Sequence, residues 1–136
     1  MDVHKEEACH YDWFNYTLGT YRRNSYMNDE TEFSGYYISP KFSLKGKITL
    51  PSTYNGKPII GVGSNAFLQG DGEKFKHEIT HIFIQKNSQL KILSSNCFRN
   101  LTTLEWFVFG TKDYGDLEVI EIDAFRGVPL KNRTLG

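Results

Sequence analysis

The residues whose types could support chemistry are few and widely spaced along the 136-residue chain. Cys9 and His10 are adjacent, with His4 nearby, but a zinc site usually needs four ligands at set spacings and this stretch holds one cysteine. Gly61-Val-Gly63 lacks the third glycine and the following Lys-Ser/Thr of a phosphate-binding loop. Carboxylates are scattered rather than paired, so no couple of general acid and base is indicated. The sequence therefore predicts no catalytic residue, no metal site and no cofactor, and favours a protein that is not an enzyme.

The other cysteine and the later histidines are interpreted as structural. Cys97 stands where two sister segments have alanine, which favours a small apolar residue inside the protein. His77 and His81 belong to a segment that enters a strand, so their spacing does not place them on one helical face. They are interpreted as loop and sheet-surface residues.

Three segments of the chain share one pattern, which ends on a phenylalanine and must be positioned by a common element. Each has an aliphatic residue eight positions before the phenylalanine, Asn or Asp two positions before it, and Ala or Cys directly before it; the segments are 59–67, 90–98 and 117–125. The phenylalanines are 31 and 27 residues apart, a spacing typical of repeat proteins. The Asn and Asp residues are interpreted as turn residues that satisfy backbone groups.

A strand-like stretch precedes each of these segments. Apolar and polar residues alternate in it, which favours strands with one buried face; the stretches are Ile48–Leu50, Ile82–Ile84 and Leu104–Trp106. No single unit of this kind could bury its apolar face alone, so the three are expected to stack.

Residues 50–67 (Leu-Pro-Ser-Thr-Tyr-Asn-Gly-Lys-Pro-Ile-Ile-Gly-Val-Gly-Ser-Asn-Ala-Phe) resemble the BspA-like class of leucine-rich repeats. That class has an I-x-I-P strand, a turn and an I-G-x-x-A-F closing segment. The resemblance covers about residues 46–128 and extends weakly to 13–37, which resembles the hairpin before the first repeat. It implies a mainly β, short leucine-rich-repeat solenoid with an N-terminal β-hairpin-type cap. The implied division is an aromatic-rich tail and cap at 1–45, and three repeats with a short C-terminal tail at 46–136.

The alternation also predicts a partner-binding face. If the apolar strand positions point inward, their neighbours face outward, and six of these are the predicted contact residues: Thr49, His81, Phe83, Gln85, Glu105 and Phe107. Two outward phenylalanines among polar groups are typical of interface anchors. The alternative is a face covered by the chain's own loops or by a neighbouring domain. The aromatic residues of 11–37 have the same two interpretations, a cap or a docking surface.

Charge and hydropathy exclude other classes. Lys and Arg together number 16, as do Asp and Glu, so bulk electrostatics do not favour binding to nucleic acid. No apolar run approaches the ~20 residues of a membrane span, and the acidic N-terminus is unlike a signal peptide. No membrane insertion is therefore expected.

The resemblance implies roles in adhesion or assembly, since BspA-like proteins occur on bacterial and protist surfaces and similar repeats decorate phage particles. We therefore expect a non-enzymatic module for protein–protein interaction or attachment in a larger homo- or hetero-assembly. Two settings stay open: a phage virion component (tail, baseplate or capsid-decorating protein) and a fragment of a bacterial or protist surface adhesin. A virion or a cell surface is the expected location.

Overall fold

Strands dominate the residues that the computed structural model describes, which are 9–23, 31–111 and 114–131. The elements are a 3-10 helix η1 (Tyr11–Trp13) and the strands β1 (Phe14–Arg22), β2 (Glu32–Pro40), β3 (Lys45–Leu50), β4 (Thr53–Tyr54), β5 (Lys57–Val62), β6 (Glu78–Ile84), β7 (Ile92–Leu93), β8 (Trp106–Phe109) and β9 (Val119–Ile120). None of the helices in these residues is long and apolar enough to cross a bilayer.

The strands form two sheets. A six-stranded mixed sheet has the order β1-β2-β5-β7-β9, with β4 paired to β5. Its first pair, β1 and β2, is antiparallel, whereas β2, β5, β7 and β9 are parallel. A three-stranded parallel sheet has the order β3-β6-β8. In the mixed sheet, β1 and β9 are therefore at opposite edges.

The chain is mainly β, with strands in 41% of the residues that the structure describes, as the sequence indicates. The predicted leucine-rich-repeat solenoid is wrong, because the described residues form mixed and parallel sheets and neither a solenoid nor a closed barrel is found. Two physical features oppose the prediction. The antiparallel β1–β2 pair of nine-residue strands makes up much of the mixed sheet, whereas β7 and β9 have only two residues each. Segments with one sequence pattern therefore do not form equal repeating strands.

Aromatic rings form the centre of the core. The rings of Phe67 and Phe98 stack at 5.3 Å between centroids, and those of Phe98 and Phe125 at the same distance. Phe67 and Phe98 are fully buried. Aliphatic residues of both sheets, including Ile38 and Ile82, belong to the same cluster. The phenylalanines that end the three similar segments thus form one continuous column of rings.

A bulge lies where β3 pairs with β6. The pairing shifts between Gly46 and Lys47, with the extra residue, Thr80, in β6, and Gly46 has φ of 79°, a left-handed conformation that favours glycine. Leu44, which precedes β3, packs into the core at 4% exposure. It lies four residues before the buried Ile48, as alternation along the strand indicates.

Candidate functional site

Phe107, predicted to face outward, lies in the core. Its backbone pairs with that of Ile82, which in turn pairs with Ile48, and all three side chains are buried. The Phe107 ring centroid is 5.6 Å from that of Phe98 and 5.5 Å from that of Phe125. The outward position predicted for Phe107 is wrong.

The error comes from the register of β8. The sequence comparison matched Leu104–Trp106 with Ile82–Ile84, whereas the structure pairs Phe107–Phe109 with those residues. This is a shift of three residues, and an odd shift exchanges the two faces of a strand. Trp106 therefore lies on the outer face of the parallel sheet, and Phe107 on its inner face.

The other predicted contact residues do not form an exposed apolar patch. Thr49 and Phe83 are paired neighbours on the outer face of the parallel sheet, yet each is only 2% exposed. The remaining three are partly exposed: His81, Gln85 and Glu105. Because both predicted phenylalanine anchors are buried, this face offers no large exposed aromatic anchor at the predicted positions.

The side chains of Cys97 and His77 are both buried. Burial raises the pKa of the Cys97 thiol, which disfavours the reactive thiolate. His77, interpreted as a loop residue, lies in the loop before β6 and is buried, and burial lowers its pKa. Its Nδ1 accepts a hydrogen bond from the Leu44 N–H at 3.1 Å, so the ring ties two loops together. In the part of the chain that the structure describes, no group of three or more His, Cys, Asp or Glu could hold a metal ion.

A charged cluster lies on the outer face of the mixed sheet. The Nε of Arg23 donates to Oε1 of Glu118 at 3.0 Å, and the Tyr21 hydroxyl donates to the same oxygen at 3.2 Å. The Nζ of Lys91 is 3.9 Å from the Glu118 carboxylate and 4.4 Å from the centre of the Phe33 ring. The bond from Arg23 lowers the pKa of Glu118. Because Arg23 and Glu118 are 95 residues apart, the cluster fastens the β1–β2 hairpin to the segment before β9.

A small cleft lies at the other end of the mixed sheet, beside η1. Its volume is about 400 Å³, and Asp12 and Lys41 contribute opposite charges to its lining. The rings of Tyr16 and Tyr54 stack at 3.7 Å, and Tyr54 is 38% exposed. The volume is in the range of small-molecule sites, but the described residues that line the cleft include no activated nucleophile and no acid–base couple.

Successive closing segments are joined by a regular row of hydrogen bonds. We name the turns that follow β5, β7 and β9 turn 1 (63–69), turn 2 (94–100) and turn 3 (121–127). Three alternate N–H groups of turn 1 donate to three alternate carbonyls of turn 2, and turn 2 donates to turn 3 in the same way. These bonds are Asn65 to Ser95, Phe67 to Cys97 and Gln69 to Arg99, then Asn96 to Ile122, Phe98 to Ala124 and Asn100 to Arg126. Asn65, Asn96 and Asp123 each have φ near +60°, a left-handed conformation that Asn and Asp tolerate best after glycine.

The row ends at turn 3. Among the described residues, none accepts from the N–H groups of Asp123, Phe125 and Gly127, and no strand pairs with the outer side of β9. Ile120 is 43% exposed and Ile122 is 75% exposed. We name the outer side of residues 118–127 the β9 edge. Exposed strand edges with large apolar side chains are typical sites of pairing with another chain.

The alternation of apolar residues does not indicate the β9 edge, although the alignment of the three similar segments contains one sign of it. Ile122 aligns with Ser64 and Ser95, so a large aliphatic residue stands where the other two turns have a small polar one. Only the structure shows that Ile122 is exposed and belongs to the last segment of the sheet.

Neither a protein-family model, nor a curated protein, nor a solved structure matches this chain. The resemblance to BspA-like repeats therefore stays a prediction, and function is inferred from the geometry of the β9 edge.

Proposed function

We propose that this chain is a non-enzymatic protein-binding module that attaches to a protein partner in a larger assembly, and that the β9 edge makes the attachment. The observation that carries the proposal is the exposure of Ile120 and Ile122 on a strand edge that no other described strand covers. Burial of a half-exposed aliphatic side chain contributes about 1 kcal/mol, and open backbone groups add directional hydrogen bonds. Both predicted settings, a virion and a cell surface, require such a contact.

The partner is expected to be basic where it meets this edge. Residues 116–126 contain four acidic residues, Asp116 among them, and one basic residue. Glu118 and Asp123 contact arginines of the same chain, and Asp116, which contacts Lys91 at 3.6 Å, keeps a half-exposed side chain. Complementary charge increases association rates and discourages unsuitable partners.

The proposal is tested by site-specific photo-crosslinking in the cells or particles that contain the protein. A photoreactive residue is placed at position 122, and a matched one at Leu18, which is 62% exposed on β1 at the opposite edge. A specific partner should crosslink from position 122 and not from position 18. The purified partner should then bind Ile122→Lys at least about tenfold more weakly than Leu18→Lys.

Circular dichroism and thermal unfolding establish that both variants fold, as expected for substitutions of highly exposed residues. Equal affinity of the partner for the wild type and for folded Ile122→Lys would refute the proposed attachment surface.

A further inference from the structure

The hydrogen bonds between successive segments repeat with one spacing, which specifies what the β9 edge can pair with. In the segment that begins at Lys91, the N–H groups of Lys91 and Ser94 donate to the carbonyls of Ile60 and Val62, at 2.8 and 3.1 Å. Turn 2 then accepts through three carbonyls, those of Ser95, Cys97 and Arg99. Relative to the first donor, the second donor is therefore three residues later and the acceptors are four, six and eight residues later.

The segment that begins at Glu118 has the same spacing. The N–H groups of Glu118 and Glu121 donate to the carbonyls of Lys91 and Leu93 at 2.8 and 2.9 Å, and the Val119 N–H also donates to the Lys91 carbonyl, at 3.0 Å. The acceptors of this segment are the carbonyls of Ile122, Ala124 and Arg126, which accept at 3.2, 2.9 and 2.7 Å. Two independent pairings in this molecule thus use one five-bond arrangement.

Continuation of this arrangement identifies the groups that the β9 edge presents. The carbonyls of Glu118 and Ile120 correspond to those of Ile60 and Val62, which accept hydrogen bonds from the segment that begins at Lys91. The counterparts of the turn donors are the N–H groups of turn 3, namely those of Asp123, Phe125 and Gly127. The edge therefore offers two acceptors followed by three donors, at the spacing that a segment like 91–99 satisfies.

Side-chain packing adds a second requirement. The residue seven positions after the first donor is Phe98 in one segment and Phe125 in the other, and their rings stack at 5.3 Å. The residue before it is small and buried in both, Cys97 at 0% and Ala124 at 2% exposure. A larger side chain there would enter the packed column, and another residue than phenylalanine would leave the half-exposed outer side of Phe125 uncovered.

We propose that the β9 edge binds an extended segment of a protein partner that runs parallel to β9. The segment carries Asn or Asp, a small residue and phenylalanine as its sixth, seventh and eighth residues. This inference rests on the proposed function and names the chemistry of the partner. The first residue of the segment is basic, because the Lys91 ammonium already pairs with the Glu118 carboxylate at 3.9 Å across the equivalent internal contact.

A second copy of this chain cannot supply the segment from its folded state. In 91–99 and 118–126 the required N–H groups already bond the preceding segment. In 60–68, the N–H of Gly63 donates to the carbonyl of Ile38 in β2, so β2 holds the place that a second β9 would need. The partner segment is therefore not one of these three segments of a folded copy, and self-association through this edge is an outcome that contradicts the proposal.

The probe is a fluorescein-labelled peptide of residues 90–101 with Cys97→Ala, titrated with the full chain and followed by fluorescence anisotropy. Saturable binding is expected. Two matched peptides, one with Phe98→Ala and one with an N-methyl group on Ser94, should each bind at least about tenfold more weakly, because one lacks the ring and the other a required donor. Hydrogen exchange should slow at the amides of Asp123, Phe125 and Gly127.

Absence of binding at millimolar peptide, equal binding of the N-methylated peptide, or protection at other amides would each overturn the inference. These outcomes are separate from the test of the proposed function. A crosslinked partner that depends on Ile122 while no peptide binds would show that the surface is right and the segment chemistry is wrong. Binding of the peptide, together with an unchanged affinity of Ile122→Lys for the crosslinked partner, would show that the segment chemistry is right and that the partner attaches elsewhere.

Discussion

Replacing Phe107 by alanine should strongly destabilise the protein, because its ring is fully buried between the rings of Phe98, Phe109 and Phe125. Core substitutions of Phe by Ala cost about 3–5 kcal/mol, from the lost transfer free energy and the cavity that remains. Domains of this size unfold with about 5–15 kcal/mol, so the variant should lose a large part of its stability. The matched substitution Trp106→Ala removes a half-exposed ring from the outer face and should cost about 1–2 kcal/mol.

The comparison of these two variants decides the register of β8. Urea unfolding of wild type, Phe107→Ala and Trp106→Ala, followed by far-ultraviolet circular dichroism, gives the three free energies without relying on tryptophan fluorescence. Equal m-values would show that the denatured states are comparable. The register with Leu104–Trp106 beside β6 requires the opposite order, with the larger loss in Trp106→Ala. A loss below about 1 kcal/mol in Phe107→Ala would refute the position of this ring in the core.

Three other positions test the packing and the electrostatics of the fold. Gly35→Ala should destabilise the chain by about 1–3 kcal/mol in chemical unfolding, because a Cβ at Gly35 would lie 2.3 Å from the carbonyl oxygen of Pro58, a backbone atom that cannot move away cheaply; an unchanged midpoint would contradict this packing. The pKa of Glu118 is lowered in the folded state, so the stability that this carboxylate contributes is present above about pH 4.5 and is lost as the pH falls further. In Glu118→Gln, the free energy of unfolding should therefore fall less steeply at acid pH than in the wild type. A curve parallel to that of the wild type would count against the Arg23 contact. The pKa of His77 is also lowered, so the imidazole is protonated more readily in the unfolded chain, and stability should fall as the pH drops below about 6.5. In His77→Gln, the loss of stability between about pH 7.5 and 5.5 should be smaller than in the wild type. An equal loss would contradict the buried position of the ring.

Part of the candidate site was accessible from the sequence. The alignment that ends on Phe67, Phe98 and Phe125 places Ile122 in a slot otherwise held by serine, which marks the third turn as different. Exposure could not be inferred from that alignment, because isoleucine is among the residues most often buried in folded proteins. The face predicted instead depended on the register of β8, and that register was wrong by three residues.

What the sequence by itself determined is the local content of the chain: strands from alternating apolar residues, a phenylalanine at the end of each of three similar segments, and turns at Asn65, Asn96 and Asp123. These features depend on residues close in the chain, so a local pattern is enough to indicate them. The tertiary structure alone decided the register of β8, since Trp106–Phe109 is apolar at every position and its alternation favours neither face. It also decided the two-sheet arrangement and the contact of Arg23 with Glu118. Such contacts join distant residues, and their free energy depends on the geometry of the whole fold rather than on any local spacing.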